Sequence, residues 1–275
     1  MLDRKPMYAK KDVMTRSVRN ILFAGNEDLD ISVHTNPEFA SGDDFASGDL
    51  EIIEEGNEDV AENLRSQGQY DEALVVYQNV LEQKLGKKGA NHPETAETYY
   101  DIANVLFSQE RYDDAMNNYQ RALKIRIKAL GWDHVSTANT YDSIANVLQN
   151  QGNYDGAMRV HQLILSIRIK RVGRDHPDLA DSYTSMACLL HDQEKYGEAL
   201  TMFNRALGIR MRTVGPDHAD TAATHHGIAT ILNSQGKTAE ARETYQKALE
   251  VRKKCLGPDH EDTMRTQEVL DALAS

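Results

Sequence analysis

The chain has 275 residues, 40% of them hydrophobic but only 7% aromatic, and a formal net charge of −12. No apolar run approaches the ~20 residues of a membrane helix. The start, "MLDRKPMYAKKDV", lacks the apolar middle of a secretory signal, and an acidic balance argues against nucleic acid, whose phosphates call for a basic surface.

In chain order, residues 1–24 come first, with six Lys/Arg and two Asp for a net +4. Residues 25–62 then hold thirteen Asp/Glu and no Lys/Arg. Within them "FASGDDFASGDL" is a short acidic, glycine-containing duplication of the kind that cannot bury enough apolar surface to fold. Residues 1–49 are therefore expected to be largely disordered, apart from a short helix around 10–23. The cysteines, Cys188 and Cys255, form no CxxC pair. That suits ordinary packing thiols in a reducing, cytoplasmic compartment.

From residue 50 the chain repeats. The fragments "KGANHPET", "LGWDHVST", "VGRDHPDL", "VGPDHADT" and "LGPDHEDT" place His92, His134, His176, His218 and His260 at steps of 42 residues. A fixed period of this size marks a repeat array. The blocks are 50–91, 92–133, 134–175, 176–217 and 218–259, with a capping helix in 260–275. In each block the first half is apolar at helical spacing, as in Ala138, Tyr141, Ile144, Ala145 and Leu148. A turn such as "QNQGNYDGA" follows, and then a second helix with Ala115, Tyr119, Ala122 and Leu123 as its apolar face. Helices are expected near 94–109 and 112–129 and every 42 residues thereafter.

The repeated histidines are a question of chemistry against architecture. Ligands to one zinc ion lie within about 2.1 Å of it, whereas equivalent atoms on stacked helices are separated by roughly 8–10 Å. Five equivalent histidines therefore cannot share a metal, and no cofactor is expected. Gly89, Gly131, Gly173, Gly215 and Gly257 follow each second helix, where a left-handed cap wants glycine. Asn91, Asp133, Asp175, Asp217 and Asp259 sit where a side-chain oxygen can cap the next helix. Pro93 and Pro177 fall in its first turn.

The order of residues resembles the tetratricopeptide repeat. Ile144-Ala145-x-x-Leu148 supplies the apolar-small-x-x-large step, and Ala115-x3-Tyr119 the second-helix signature. The unit of that repeat is about 34 residues, so eight extra residues lengthen it here. The long unit "HPETAETYYDIANVL…YDDAMNNYQRALKIRIKALG" is similar to that of kinesin light chains and their relatives. The resemblance covers about 50–275 and implies an all-α, right-handed superhelical solenoid of antiparallel helix pairs. It also implies a non-enzymatic scaffold that binds a protein or peptide partner. A motor-cargo adaptor with kinesin heavy chain as partner is the alternative, although residues 1–49 show no sustained heptads for a coiled coil. An enzyme or regulatory subunit with an unrecognised site is the second alternative. The sequence has no G-x-x-x-x-G-K-[ST], G-x-G-x-x-G, G-x-S-x-G or H-E-x-x-H motif, so no catalytic residue is assigned.

In the tetratricopeptide family the groove-facing positions of each first helix hold peptide ligands, often through asparagines that clasp the peptide backbone. Carried onto this sequence, those positions give Glu58, Tyr100, Asp101, Asn104, Phe107, Asp142, Asn146, Gln149 and His191. Asn104 and Asn146 match the asparagine position, and acids outnumber bases toward the N-terminal end. The expected ligand is an extended segment carrying Lys or Arg. Arg126, Lys128, Arg168, Lys170, Arg210, Arg212, Arg252 and Lys254 recur near the ends of the second helices, either to complement the helix dipole or as a basic binding stripe. His225 and His161 take the places of core aromatic residues, and packing is the expected role of both.

Overall fold

The computed structural model describes residues 57–174 and 176–273. The helix expected around 10–23 and the disorder expected of 1–49 lie outside the described residues. Eleven α-helices are described: α1 (Glu58–Ser66), α2 (Tyr70–Lys87), α3 (Pro93–Ser108), α4 (Tyr112–Leu130), α5 (Val135–Asn150), α6 (Tyr154–Val172), α7 (Asp178–Asp192), α8 (Tyr196–Thr213), α9 (Ala219–Ser234), α10 (Thr238–Cys255) and α11 (Glu261–Ala272). They form two compact units, one ending at Val160 and the other beginning at His161, so the division falls inside α6. The fold is all-α among the described residues, built from consecutive helix pairs.

The pairs pack through the small residues that the sequence repeats. Ala103, Ala145, Ala187 and Ala229 are fully buried on the first helices, as are Ala73, Ala115, Ala157, Ala199 and Ala241 on the second. A methyl group at each position lets helix axes approach closely, so larger side chains fill only the gaps between them. Tyr99 and Tyr141 each fill such a gap, at 2% and 1% exposure. The last helix breaks this pattern. At the tyrosine and alanine registers α11 carries Gln267 and Asp271, whose side chains hydrogen-bond to each other at 2.9 Å, and Lys253 reaches Gln267 at 3.1 Å.

At the junctions the structure corrects one expectation. The helices are capped by the histidines, not by the residues before them. Nδ1 of His92, His134, His176, His218 and His260 accepts from the backbone N–H two residues on, at 3.1–3.3 Å. The preceding residue is one position too early to reach that amide. Asn91 and Asp217 instead face Lys128 and Lys254, at 3.5 and 3.8 Å. A buried threonine closes three junctions, with Thr95, Thr137 and Thr221 donating to the carbonyls of Gly89, Gly131 and Gly215 at 2.7–2.9 Å. Gly131 has φ 97° and ψ 162°, a mirror-extended conformation that only glycine adopts without strain. The expected positive φ is there, but not the αL cap geometry. Cys188 and Cys255 are exposed rather than packing thiols.

The recurring basic residues separate into two sets. Lys128, Lys170, Arg212 and Lys254 are exposed. Arg126 and Arg252 are buried, at 7% and 6% exposure, and act across the junction. Arg126 Nη1 donates to the carbonyl of Ser136 and to Thr140 Oγ1, at 3.0 and 2.8 Å. Arg210 makes the same two bonds to Asp220 and Thr224. Arg252 repeats them on Asp262 and Thr266, and Arg168 reaches Ser182 Oγ at 2.6 Å. In the first block Lys84 stands at this register and bonds the carbonyl of Glu94. This set fastens each second helix to the next first helix. It is architecture rather than a binding stripe.

Candidate functional site

Eight of the nine residues expected to face a ligand belong to the first unit, on α1, α3 and α5. Tyr100 joins two of these helices, its hydroxyl lying 3.0 Å from Ser143 Oγ on α5. The Arg126 guanidinium covers the Tyr100 ring at 4.5 Å, and the Tyr119 ring lies tilted against it with centroids 5.4 Å apart. Asn104 is half-buried, and its Oδ1 accepts from Tyr119 Oη at 2.7 Å. Burial pushes the Tyr119 hydroxyl up from its ordinary range, so it stays protonated and a donor. Phe107 packs edge-on against Tyr112, with centroids 5.6 Å apart. Asp142 and Gln149 are half-buried on α5, and Asn146 is exposed there.

The acids of this row are not equivalent. Glu58 is paired with Lys84 and also accepts from Thr98 Oγ1 at 3.3 Å. Glu62 is held by the Arg65 guanidinium, which lowers its carboxyl below the usual range. Asp101 and Glu97 form no hydrogen bond or ion pair through their carboxylates among the described residues. Asp101 is half-buried, and desolvation raises its carboxyl to about 7; the charges of Glu97, Glu58 and Glu62 add to that rise and Arg126 opposes it. A carboxylate left in surplus beside other carboxylates is stabilised by any cation that arrives.

His191 belongs to the second unit. Its Nε2 lies 3.0 Å from Ser234 Oγ, its Nδ1 lies 3.5 Å from Asp192, and its ring tilts against Tyr196. Its hydrogen-bonding edge is thus engaged within that unit. In the same unit His226 Nδ1 lies 3.3 Å from both Arg252 Nη1 and Thr266 Oγ1. Burial and the Arg252 charge lower His226 to about 4, so it is a neutral acceptor near neutrality. His161, expected as a packing residue, is 2% exposed and likewise lowered to about 4 by burial. Gly227 stands where a first helix elsewhere carries Asp101 or Ser143. A β-carbon there would come within 2.5 Å of the Phe203 ring, which therefore takes up the space of the missing side chain.

Sequence reading found the first-helix positions but missed the second-helix groups that hold them. Tyr119, Arg126 and Lys84 all lie at fixed offsets from the row, +15 or +26 residues, and a search for recurring polar pairs at those offsets would have found them. Among the described residues no group of three or more His, Cys, Asp or Glu is placed to hold a metal ion. No helix among them is long and apolar enough to cross a membrane.

Helix pairs with a polar row along their first helices, joined by junction locks, define a repeat module for protein interaction. The tetratricopeptide repeat family model matches residues 54–128, 136–212, 190–254 and 220–270, and the chain belongs to that family. A Podosopora anserina protein with nearly identical TPR-like repeats, named as a kinesin light chain, superposes with a TM-score of 0.62 at 19% identity, covering 74% of this chain and 95% of the other. BtubC (BKLC) from P. vanneervenii gives 0.62 at 20% identity over 76% and 81%. The apo form of RapI gives 0.63 at 19% identity over 78% and 75%. These likenesses are of fold. No curated protein matches this chain in sequence.

Proposed function

We propose that the chain is a non-enzymatic scaffold whose first unit binds an extended peptide segment bearing Lys or Arg. The observation that carries this reading is the surplus negative charge at Asp101 and Glu97, which no cation within the described residues pairs, beside a carboxamide at Asn104 that is already oriented. An incoming ammonium or guanidinium would relieve the crowding that lifts Asp101. Asn104 and Asn146 would contact the main chain of the segment, and Tyr100 and Phe107 would pack against its apolar parts. Glu58 contributes less to this field than Asp101, because Lys84 already neutralises it. A Rap protein complexed with Competence and Sporulation Factor has the same fold at a TM-score of 0.55 and 17% identity, covering 78% of this chain and 62% of the other. That a protein of this fold takes a ligand supports the reading without identifying the ligand here.

A peptide array probed with the full chain, and repeated with Asn104→Ala and Asp142→Lys, tests it. Basic peptides should bind best, and binding should weaken with salt because exposed charges are screened over about 8–10 Å at 0.10–0.15 M. Preference for acidic peptides, or indifference to both substitutions, would overturn it.

A further inference from the structure

Asn104 and Tyr119 are fifteen residues apart, and the same offset recurs along the chain. Tyr77 Oη donates to Glu62 Oε2 at 3.3 Å, Tyr119 Oη donates to Asn104 Oδ1 at 2.7 Å, and the hydroxyls of Thr230 and Tyr245 pair at 2.9 Å. In the fourth block Cys188 stands at the first-helix position and Phe203, which has no hydroxyl, at the second. A polar second-helix group thus accompanies the oxygen-bearing first-helix residues Glu62, Asn104 and Thr230, and an apolar ring accompanies the thiol.

A carboxamide held in this way has a defined sense. Tyr119 engages Oδ1 and fixes which way the carboxamide faces, and the two Nδ2 hydrogens, which have no partner among the described residues, are the donors left for a ligand. The Tyr100 and Tyr119 rings lie against each other, so the phenol cannot swing away without disturbing Tyr100 and Arg126.

We propose that Tyr119 is a positioning residue for the peptide site. It fixes Asn104 as a hydrogen-bond donor, so the first unit reads a main-chain carbonyl oxygen of an extended segment while the neighbouring acids select its charge. This rests on the reading of the row as a peptide site and adds what that reading lacks, the group that decides which end of the carboxamide a ligand meets. Tyr119→Phe is a fair probe, because Phe203 already fills the same register at 4% exposure.

Two measurements on the full chain separate this inference from the reading beneath it. The first needs no ligand: side-chain ¹⁵N relaxation of the Asn104 carboxamide. Its order parameter should lie near the ~0.85 of rigid backbone and fall in Tyr119→Phe toward that of the exposed Asn117. An Asn104 amide as mobile as Asn117 in the unaltered protein overturns the proposal whatever peptides do. The second is the affinity for an acetylated, amidated dodecapeptide alternating Lys and Ala. Tyr119→Phe should weaken it about 5-fold, the size of one neutral hydrogen bond. Asn104→Ala should weaken it at least as much, and the double variant no more than Asn104→Ala alone. Equal losses from Tyr119→Phe in both backgrounds would mean that the hydroxyl acts elsewhere. Failure of every basic peptide to bind would remove the ligand class, leaving the relaxation result to decide the positioning.

Discussion

Arg126 on α4 donates to Thr140 on α5 at 2.8 Å, and Thr140 in turn donates to the Ser136 carbonyl at 2.8 Å, which also accepts from Arg126. The three groups close a small buried circuit across the junction between one helix pair and the next helix. In a repeat protein each unit is stabilised mainly by its neighbours, so a polar lock at every junction sets how strongly adjacent units are coupled. Thr140→Val keeps the shape and removes the hydroxyl, leaving a buried guanidinium with one fewer acceptor. Such a loss costs about 1–3 kcal/mol. The melting temperature should fall, and Arg126→Met in the Thr140→Val background should recover part of the loss, since no buried charge is then left short of partners. A melt unchanged by Thr140→Val would show that the circuit does not couple the helices.

The turns inside each helix pair make a separate prediction. Gly68, Gly152 and Gly236 adopt φ between 75° and 79°, and at the same register Glu110 and Glu194 are forced to φ 61° and 59°. A left-handed residue with a β-carbon costs roughly 1–2 kcal/mol. Glu110→Gly and Glu194→Gly should each stabilise by about 0.5–1 kcal/mol after allowing for the greater freedom of glycine in the unfolded chain. The two sites are in different units, so the gains should add in thermal or denaturant unfolding. A loss at either site would mean that its side chain makes a contact worth more than the strain.

A third prediction comes from a gap in an otherwise regular pairing. Gln109 Nε2 donates to Asp71 Oδ1 at 2.7 Å, and Gln151 Nε2 donates to Asp113 Oδ1 at 2.8 Å, each reaching back 38 residues to the start of the preceding second helix. The same offset takes Gln235 to Gly197, which has no side chain to accept from Gln235 Nε2. Space is open at Gly197. Gly197→Asp should gain helix propensity, favourable charge in a first helical turn and an acceptor for Gln235, together about 1 kcal/mol. A shift of about 2–4 °C in the melting of the second unit is the expected reading. Destabilisation would show that Gln235 is satisfied in some other way.

The architecture was legible because repetition multiplies a weak signal. One "GPDH" is ambiguous, but five glycines each followed three residues later by a histidine, at equal steps, fix the junction, and the alanines at equal steps fix the helix contacts. The capping atom was not legible. Asp133 is the candidate by residue type, and only the position of the backbone amide decides for His134 Nδ1. The basic ladder was half legible: periodicity announced Arg126 and Lys128 together, but burial alone distinguishes a junction lock from an exposed lysine. At the candidate site, Asn104 was found from the first-helix register. Its orientation depends on Tyr119 on another helix, which sequence spacing reveals only once the fifteen-residue offset is known to place two side chains in contact.

The remaining prediction concerns Asp101 and has a pH sign. Its carboxyl is raised to about 7 in the folded chain from an ordinary 3.8, first by desolvation and then by the charges of Glu97 on α3 and of Glu58 and Glu62 on α1, against the opposing charge of Arg126 on α4. Below about pH 4 the group is protonated in both folded and unfolded chains and does not bear on stability. As pH rises toward 7 the unfolded chain releases the proton while the folded chain keeps it, so stability falls across that window and the deficit persists above it. Asp101→Asn removes the charge at nearly constant shape. It should therefore stabilise at pH 8, by about 1–2 kcal/mol once solvent screening of a partly exposed group is allowed for, and leave pH 4 stability nearly unchanged. Binding should respond in the opposite sense. A Lys- or Arg-bearing segment needs the carboxylate, so its affinity should rise with pH through about 7, and Asp101→Asn should flatten that profile while weakening binding. Thermal melts and titrations of a basic peptide at pH 5, 6, 7 and 8 measure both. If Asp101→Asn destabilises the chain at pH 8, or leaves the pH profile of binding intact, Asp101 is not the surplus charge that draws a basic ligand to this row.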